Sequence, residues 1–382
     1  MSKLNERISQ FCPDGVEYVQ LGTVCEISKG VQFNKADMND EGSYPVINGG
    51  INPSGYIEQY NQEENTITIS QGGASAGYVN WLTVKFWAGA HCYVIKPTDI
   101  LLKRYVYHFL KSQECKLQEC QYGAGIPALA KSTVSAILIP IPPLPVQSEI
   151  VQILDNFTES SAKLIADLER ERSLRKKQYL EYSHALFTQS DCVKRTTLGE
   201  IVDICMCKRI MKVQTDATGD VPFYQNGTLG GEAKLYISND LFQEYSQKYK
   251  FPNQGDVMLS TVGTVGKTIQ YDGKPAYFQD SNIVWLKRKN EDVTNEYLYW
   301  FCVSMPWKLP ERATLKHLHN YMIAETEISI PSKERQAYVI SKFQELESAF
   351  KLIDEALIAE TEARQKQYEY YRNKLLTFSN SQ

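Results

Sequence analysis

Two stretches of the chain carry apolar residues at heptad spacings of three, four or seven. One runs Ile150, Leu154, Phe157, Leu164 and Leu168; the other runs Val339, Phe343, Leu346, Phe350, Ile353 and Leu357. This is the seam of a helix that pairs with another, not the broader stripe of a helix lying on a globular core. Pro142 and Pro331 stand ahead of the two seams, where a first helical turn loses nothing by a missing N–H. About forty residues at ~1.5 Å rise predict helices roughly 60 Å long, too long to end inside a compact domain. They must pair with each other or with a partner. The same register continues into polar positions: Glu171, Arg175, Gln178 and Tyr182 in the first, Glu360, Arg364, Gln367 and Tyr371 in the second. Polar seam residues weaken a coiled coil but fix its register, or mark where another protein docks.

The segments ahead of these helices read differently. Short β-branched or aromatic runs such as "NTITIS", "AGYVNWLTVKFW", "HCYVIKP", "KPAYFQD" and "SNIVWLKR" are separated by Gly, Asn, Asp and Pro, the punctuation of strands and turns. One helix is expected in each segment, around Leu101–Lys116 and Glu296–Met305. The fold class is α+β, with mixed sheets of irregular order.

The chain is written twice. "IPPLPVQSEIVQILDNFTESS" from Ile141 and "IPSKERQAYVISKFQELESAF" from Ile330 open a gapless correspondence at an offset of 189. Pro142 meets Pro331, Gln147 meets Gln336, Glu171 meets Glu360, and Lys177-Gln178-Tyr179 meets Lys366-Gln367-Tyr368. The preceding segments correspond more loosely: Leu21-Gly22 with Leu198-Gly199, "YPVINGG" with "VPFYQNG", and "TISQGGASAGYV" with "MLSTVGTVGKTI". The expected division is a first variable domain at 1–140, a helix at 141–189, a second variable domain at 190–329 and a second helix at 330–382.

With 382 residues, 43% hydrophobic and 23% charged, the chain has enough apolar material for two cores. A net charge of −4 gives no global basic excess, although a basic face can hide inside an acidic total. The nine cysteines (Cys12, Cys25, Cys92, Cys115, Cys120, Cys192, Cys205, Cys207 and Cys302) form no C-x-x-C pair, which fits reduced thiols better than a zinc site. The opening "MSKLNERISQ" lacks an apolar core and no run approaches a membrane span, so a soluble cytoplasmic protein is expected.

Catalytic signatures are missing. Gly266-Lys267-Thr268 ends like a phosphate-binding loop, but Thr261 stands where the first glycine belongs, and the counterpart "SQGGASAGYV" has no lysine. The element reads as a glycine-rich turn between strands. Gly73-Ala74-Ser75-Ala76-Gly77 spells G-x-S-x-G, but it falls in the same glycine-rich turn between strands, not in the strand-to-helix turn of a nucleophile elbow; there is no H-E-x-x-H and no amino-methyltransferase motif. His317-x-His319 has Ala128 and Ala130 as counterparts and reads as a surface or groove contact, not a metal site.

A duplicated variable domain followed by a heptad helix resembles the DNA specificity (S) subunits of type I restriction–modification systems. The resemblance rests on "IPIPPLPVQSEIV", "RKKQYLEYSHALF" and "RQKQYEYYRNKLLTF" in tandem order and covers essentially the whole chain. It implies two target recognition domains, each reading half of a split duplex DNA sequence. It also implies two helices paired as an antiparallel coiled coil that sets the spacing and docks two methyltransferase (M) subunits, through which motor-nuclease (R) subunits join. The chain itself would be non-catalytic and hold no cofactor; S-adenosylmethionine, ATP and Mg²⁺ would belong to the partners.

Candidate DNA-contacting residues lie in the glycine-rich turns: Ser70, Gln71, Gly73 and Ser75 in the first domain, Ser260, Thr261, Gly263, Thr264 and Lys267 in the second. The turns Asn48-Gly49 and Asn226-Gly227 come next, with Lys29, Lys208 and Arg209 as phosphate contacts. The polar helix positions named above are the candidate docking residues. The alternative is a non-catalytic coiled-coil scaffold carrying two binding modules for a protein or sugar ligand. A self-sufficient methyltransferase or ATPase is a third reading, opposed by the missing motifs.

Overall fold

The computed structural model describes residues 2–39, 41–123, 125, 127–188, 194–263, 265–307 and 317–379; Thr264 and Cys192 lie outside the described residues. The chain forms two compact units, one of Met1–Leu168 with Ala359–Gln382 and the other of Glu169–Ile358. Each unit thus combines a strand-rich segment with portions of two long helices, Leu144–Thr188 and Lys333–Leu375.

In the first unit, strands Cys25–Lys29, Cys92–Pro97, Thr66–Ser70 and Val79–Leu82 lie in that order in an antiparallel sheet. A smaller sheet orders Tyr56–Ile57, Tyr44–Ile47 and Trp87–Ala88, the last pairing parallel. Tyr18–Gln20 pairs with Leu138–Pro140 just ahead of the first long helix. The β-branched "TITIS" is buried along its whole length as an inner strand, the environment such residues fit best.

The second unit repeats this plan. Its four-stranded sheet runs Val202–Cys205, Ile283–Arg288, Val257–Ser260 and Thr268–Gln270, and its three-stranded sheet Leu235–Ile237, Val221–Tyr224 and Tyr277–Phe278, again with one parallel pair. Lys194–Thr197 pairs with Glu327–Ile330 ahead of the second long helix. Among the described residues each unit holds two apolar clusters. The larger gathers helix residues, Val146, Ile150 and Leu154 in the first unit and Phe187, Val339 and Phe343 in the second. The smaller lies by the three-stranded sheet.

The duplicated glutamine explains how helix and sheet are joined. Gln147 is fully buried; its Oε1 accepts from Leu102 N (2.8 Å), and its Nε2 donates to Ile100 O (2.9 Å) and Pro142 O (2.8 Å). Gln336, 1% exposed, does the same with Thr294 N (3.0 Å), Asp292 O (2.7 Å) and Pro331 O (3.0 Å). A second copied tie is a buried tyrosine, whose hydroxyl donates to the strand before the helix: Tyr105 to Pro140 O (3.2 Å) and Tyr297 to Ser329 O (2.9 Å).

Within each unit the helices meet side by side. In the first, Phe157 packs on Tyr368 and Tyr371 at 5.6 and 5.9 Å between ring centres, and the hydroxyls of Thr158 and Tyr368 lie 2.9 Å apart. In the second, Arg172 grips Asp354 with two bonds (2.5 and 3.0 Å), Tyr179 stacks on Phe350 at 4.5 Å, and Phe187 meets Phe343 at 5.5 Å. Numbering rises along one helix as it falls along the other, so the pairing is antiparallel.

Several expectations are corrected. Leu164 and Ile353 are each 40% exposed; the neighbouring Ile165 and Asp354 turn inward instead, one position along the heptad. Arg175, Gln178, Tyr182 and Gln367 are exposed beside the seam rather than on it, Tyr371 is 37% exposed at its edge against Phe157, and Tyr179 and Tyr368 fill the inner positions. A register continued through polar residues drifts because nothing apolar holds it. The single helix expected in each variable segment is Lys103–Ser112 in the first and Asn295–Val303 in the second. Glu114–Glu119, Lys131–Ser135, Asn239–Lys248 and Asn320–Ala324 are additional.

Two predictions follow from these ties. Gln336→Ala strands Thr294 N and two carbonyls in a buried site at about 1–3 kcal/mol for a stranded group. Chemical denaturation should show the variant less stable by about 3 kcal/mol; an unchanged midpoint would contradict the anchoring role. The second concerns His108, 1% exposed, whose Nε2 lies 2.7 Å from Asp155 Oδ1, with Arg104 and Arg372 also acting on it. Burial lowers its pKa from the ordinary 6.5, against the raising effect of Asp155. The unfolded chain therefore binds the proton more readily, and the stability contribution is present above that value and lost as pH falls below it. Melting temperature should fall between about pH 7 and pH 5.5, and fall less in His108→Gln; parallel profiles would refute the assignment.

Candidate nucleic-acid interface

Each glycine-rich segment is a hairpin connection at one end of a four-stranded sheet. In the first unit it joins Thr66–Ser70 to Val79–Leu82, and in the second Val257–Ser260 to Thr268–Gln270. Gly266-Lys267-Thr268 therefore enters a strand, whereas a phosphate-binding loop opens a helix. Gly77 (φ +89°) and Gly266 (φ +81°) adopt left-handed backbone, and a Cβ would lie 2.9 Å from Gln118 N at the first and 2.7 Å from Met305 Sδ at the second. Glycine is required on both counts at 77, where the neighbour is backbone, and by the left-handed conformation at 266.

The two turns are braced by matching backbone bonds. Gln71 N donates to His91 O (2.9 Å) and Gln71 O accepts from Leu129 N (2.7 Å); Thr261 N donates to Asn282 O and Thr261 O accepts from Leu318 N, both at 2.8 Å. Ser70 Oγ donates to Gly49 O (2.5 Å), which ties the Asn48-Gly49 turn to the hairpin. In the second unit Asn226 Nδ2 donates to Val262 O (3.0 Å) for the same end, and Gly227 N donates to Asn226 Oδ1 (2.9 Å).

Ser70, Ser260 and Thr261 are 6%, 0% and 1% exposed. Ser260 Oγ accepts from Lys267 N (3.1 Å), and Thr261 Oγ1 donates to Ser281 O (2.8 Å). Their hydroxyls hold the turns shut and do not face solvent, whereas the sequence placed them among the candidates for base contact. The residue closing a tight hairpin turns its side chain inward.

The other candidates are accessible. Lys29, Lys208, Arg209, Gly227 and Gly263 are exposed; Asn48, Gly49, Gln71, Gly73, Ser75, Asn226 and Lys267 are half-buried. With the Gln71 amide oriented to satisfy its neighbours, its oxygen accepts from Lys29 Nζ (3.1 Å) and its nitrogen donates to Ala90 O (3.3 Å). Asn48 Oδ1 accepts from His91 N (3.1 Å), so Lys29, Asn48, Gln71 and His91 share one end of the sheet. In the second unit Arg209 Nε donates to Asp280 Oδ2 (2.8 Å), and the Lys208 ammonium sits 5.4 Å from the Tyr249 ring centre. His91 and Asn282 were not singled out from the sequence; the strand-end positions just before "CYVIKP" and "IVWLKR" were the available signal.

The polar helix residues form the same surface ladder twice. Arg175 donates to Glu171 Oε1 (2.8 Å) and Gln178 Oε1 (3.2 Å); Arg364 donates to Glu360 Oε1 (2.8 Å) and Gln367 Oε1 (3.0 Å). Tyr182 and Tyr371 follow, 55% and 37% exposed. Among the described residues no cluster of three or more His, Cys, Asp or Glu side chains could hold a metal ion, and no helix is long and apolar enough to cross a membrane.

The type I restriction modification DNA specificity domain model matches residues 13–171 and again 191–363. The specificity subunit S.HindORF215P of Haemophilus influenzae, named for a type I restriction enzyme, is 39% identical over 95% of this chain and 96% of its own length. The EcoR124I/EcoR124II specificity subunit of Escherichia coli is 24% identical over 95% and 94%. In fold, the chain is similar to one solved in work on complex assembly and conformational transition of the type I R-M system (TM-score 0.72, 15% identity, 95% and 97% covered). The HsdS subunit of Thermoanaerobacter tengcongensis is similar at TM-score 0.52 and 14% identity, with 96% and 97% covered. Two copies of the domain in one chain, with long helices after each, place this protein in the type I restriction–modification family of non-catalytic DNA specificity subunits.

Proposed function

We propose that each unit reads one half of a split duplex DNA sequence. The long helices set the distance between the halves and seat two methyltransferase subunits, through which motor-nuclease subunits join. The observation that carries this reading is a common backbone with unlike side chains. The bonds that brace the hairpins recur in both units, yet Gln71 is answered by Thr261, His91 by Asn282 and Ala128 by His317. A scaffold kept while the side chains on its turns diverge is what two different half-sites require, since base edges specify and phosphates position.

On this reading Asn48, Gln71, Ser75, Asn226 and Lys267 face the bases, and Lys29, Lys208 and Arg209 hold phosphates. Ser70, Ser260 and Thr261 act by shaping the turns, as do Gly49, Gly73, Gly227 and Gly263. The repeated Glu–Arg–Gln ladders with Tyr182 and Tyr371 are the docking surface for the methyltransferase subunits. S-adenosylmethionine, ATP and Mg²⁺ belong to those partners, and the assembly works on genomic DNA in the cytoplasm. The domains divide at 1–140, 141–189, 190–329 and 330–382. The scaffold for a protein or sugar ligand is not supported, because the matched family is one of DNA specificity subunits.

The test is to map methylated bases in genomic DNA with and without this chain beside its cognate methyltransferase subunit. A split motif modified only when the chain is present is expected; an active methyltransferase whose motif ignores the chain overturns the proposal. In the same complex Arg209→Ala should weaken DNA binding across sequences and reduce the slope of affinity against salt by about 1. An unchanged slope would remove Arg209 from the phosphate contacts.

A further inference from the structure

The segment 317–321 of the second unit carries three rings in a row. His317 and His319 lie 4.1 Å apart between ring centres, and His319 stacks on Tyr321 at 5.6 Å and 13°. All three are exposed, Tyr321 at 59%, while Leu318 between the histidines is completely buried. Alternation thus pins the backbone through Leu318 and turns the rings to solvent. His317 bridges to Val262, and Leu318 N donates to Thr261 O, so the backbone that carries the rings runs beside the glycine-rich turn. Their ring nitrogens and the Tyr321 hydroxyl make no hydrogen bond to the described residues.

The first unit supplies an internal control. Ala128 bridges to Gly72, and buried Leu129 donates to Gln71 O, reproducing the backbone. Ala128, Ala130 and Ser132 stand at the offset positions, so the same frame presents no rings there. Three adjoining aromatic groups on a surface are not needed to fold the unit, since its counterpart folds the same way without them. Imidazole N–H and phenol O–H are donors, and the major-groove edges of guanine, adenine and thymine, like phosphate oxygens, are acceptors.

We infer that His317, His319 and Tyr321 form a donor ladder that contacts duplex DNA at one half-site only and contributes to its sequence preference. This rests on the reading of the second unit as a half-site reader. The test uses the assembled complex with its methyltransferase subunits, comparing wild type, the double variant His317→Ala/His319→Ala and the double variant His317→Gln/His319→Gln. The Ala pair copies what the first unit carries, so thermal denaturation should match wild type. Methylation kcat/KM on the cognate target should fall by about 10-fold to 100-fold. Discrimination against altered bases should relax at positions of one half-site and stay intact in the other, and the Gln pair, which keeps a donor, should recover part of the loss. A rate within about twofold of wild type with unchanged discrimination would overturn the inference, as would an equal loss at both half-sites. If the wild-type complex shows a chain-dependent split motif and the Ala pair is indifferent, only the ladder falls. If the wild type shows no such motif, the underlying reading falls instead.

Discussion

Everything else in the molecule depends on fixing a long helix to a sheet at a defined angle, and one buried amide does this in each unit. Gln147 and Gln336 satisfy one backbone N–H and two carbonyls apiece, tying the first helical turn to the loop after the longest strand and to the proline two residues before the helix. A buried amide with every bond made rigidifies; one left half-satisfied costs more than an apolar residue. Because the helix start is fixed, the end of the sheet that carries the glycine-rich turn has a fixed orientation to the helix within its unit. Recognition loops can then vary without altering the joint.

The seam shows a related division of labour. Aromatic contacts, Tyr179 on Phe350 and Phe157 on Tyr368, hold the helices together in each unit. The Glu–Arg–Gln ladders lie beside them, exposed and self-paired. Exposed ion pairs of this kind add little stability. On the proposed function, their exact repetition at an offset of 189 is a surface presented twice to identical partners.

Much of this was legible in the sequence. The offset of 189, the strand runs and the heptads gave the duplicated α+β plan, because periodicity and repetition survive as patterns of residue type. What failed was position-specific. Leu164 reads as a seam residue by type, but Ile165 turns inward, since one step of about 100° decides which of two adjacent apolar residues faces the partner. Ser70 and Ser260 look like polar readers in a turn, yet a hydroxyl at a strand end finds a backbone group first. Asn239–Lys248 is polar outside Leu241, Phe242 and Tyr245, too few apolar positions for its period to stand out. Gln147 was visible as a repeated residue, but its role needed Ile100 and Leu102, which lie far along the chain and only meet it in the fold.

The central claim is that reading and spacing are separate functions of separate parts. Adding four residues to the first long helix lengthens it by about 6 Å at ~1.5 Å per residue without touching either hairpin end. Mapping methylated bases with this lengthened chain tests the claim directly. Two unchanged half-sites separated by a different number of intervening base pairs is the predicted result. An unchanged spacer, or altered bases within a half-site, would contradict it.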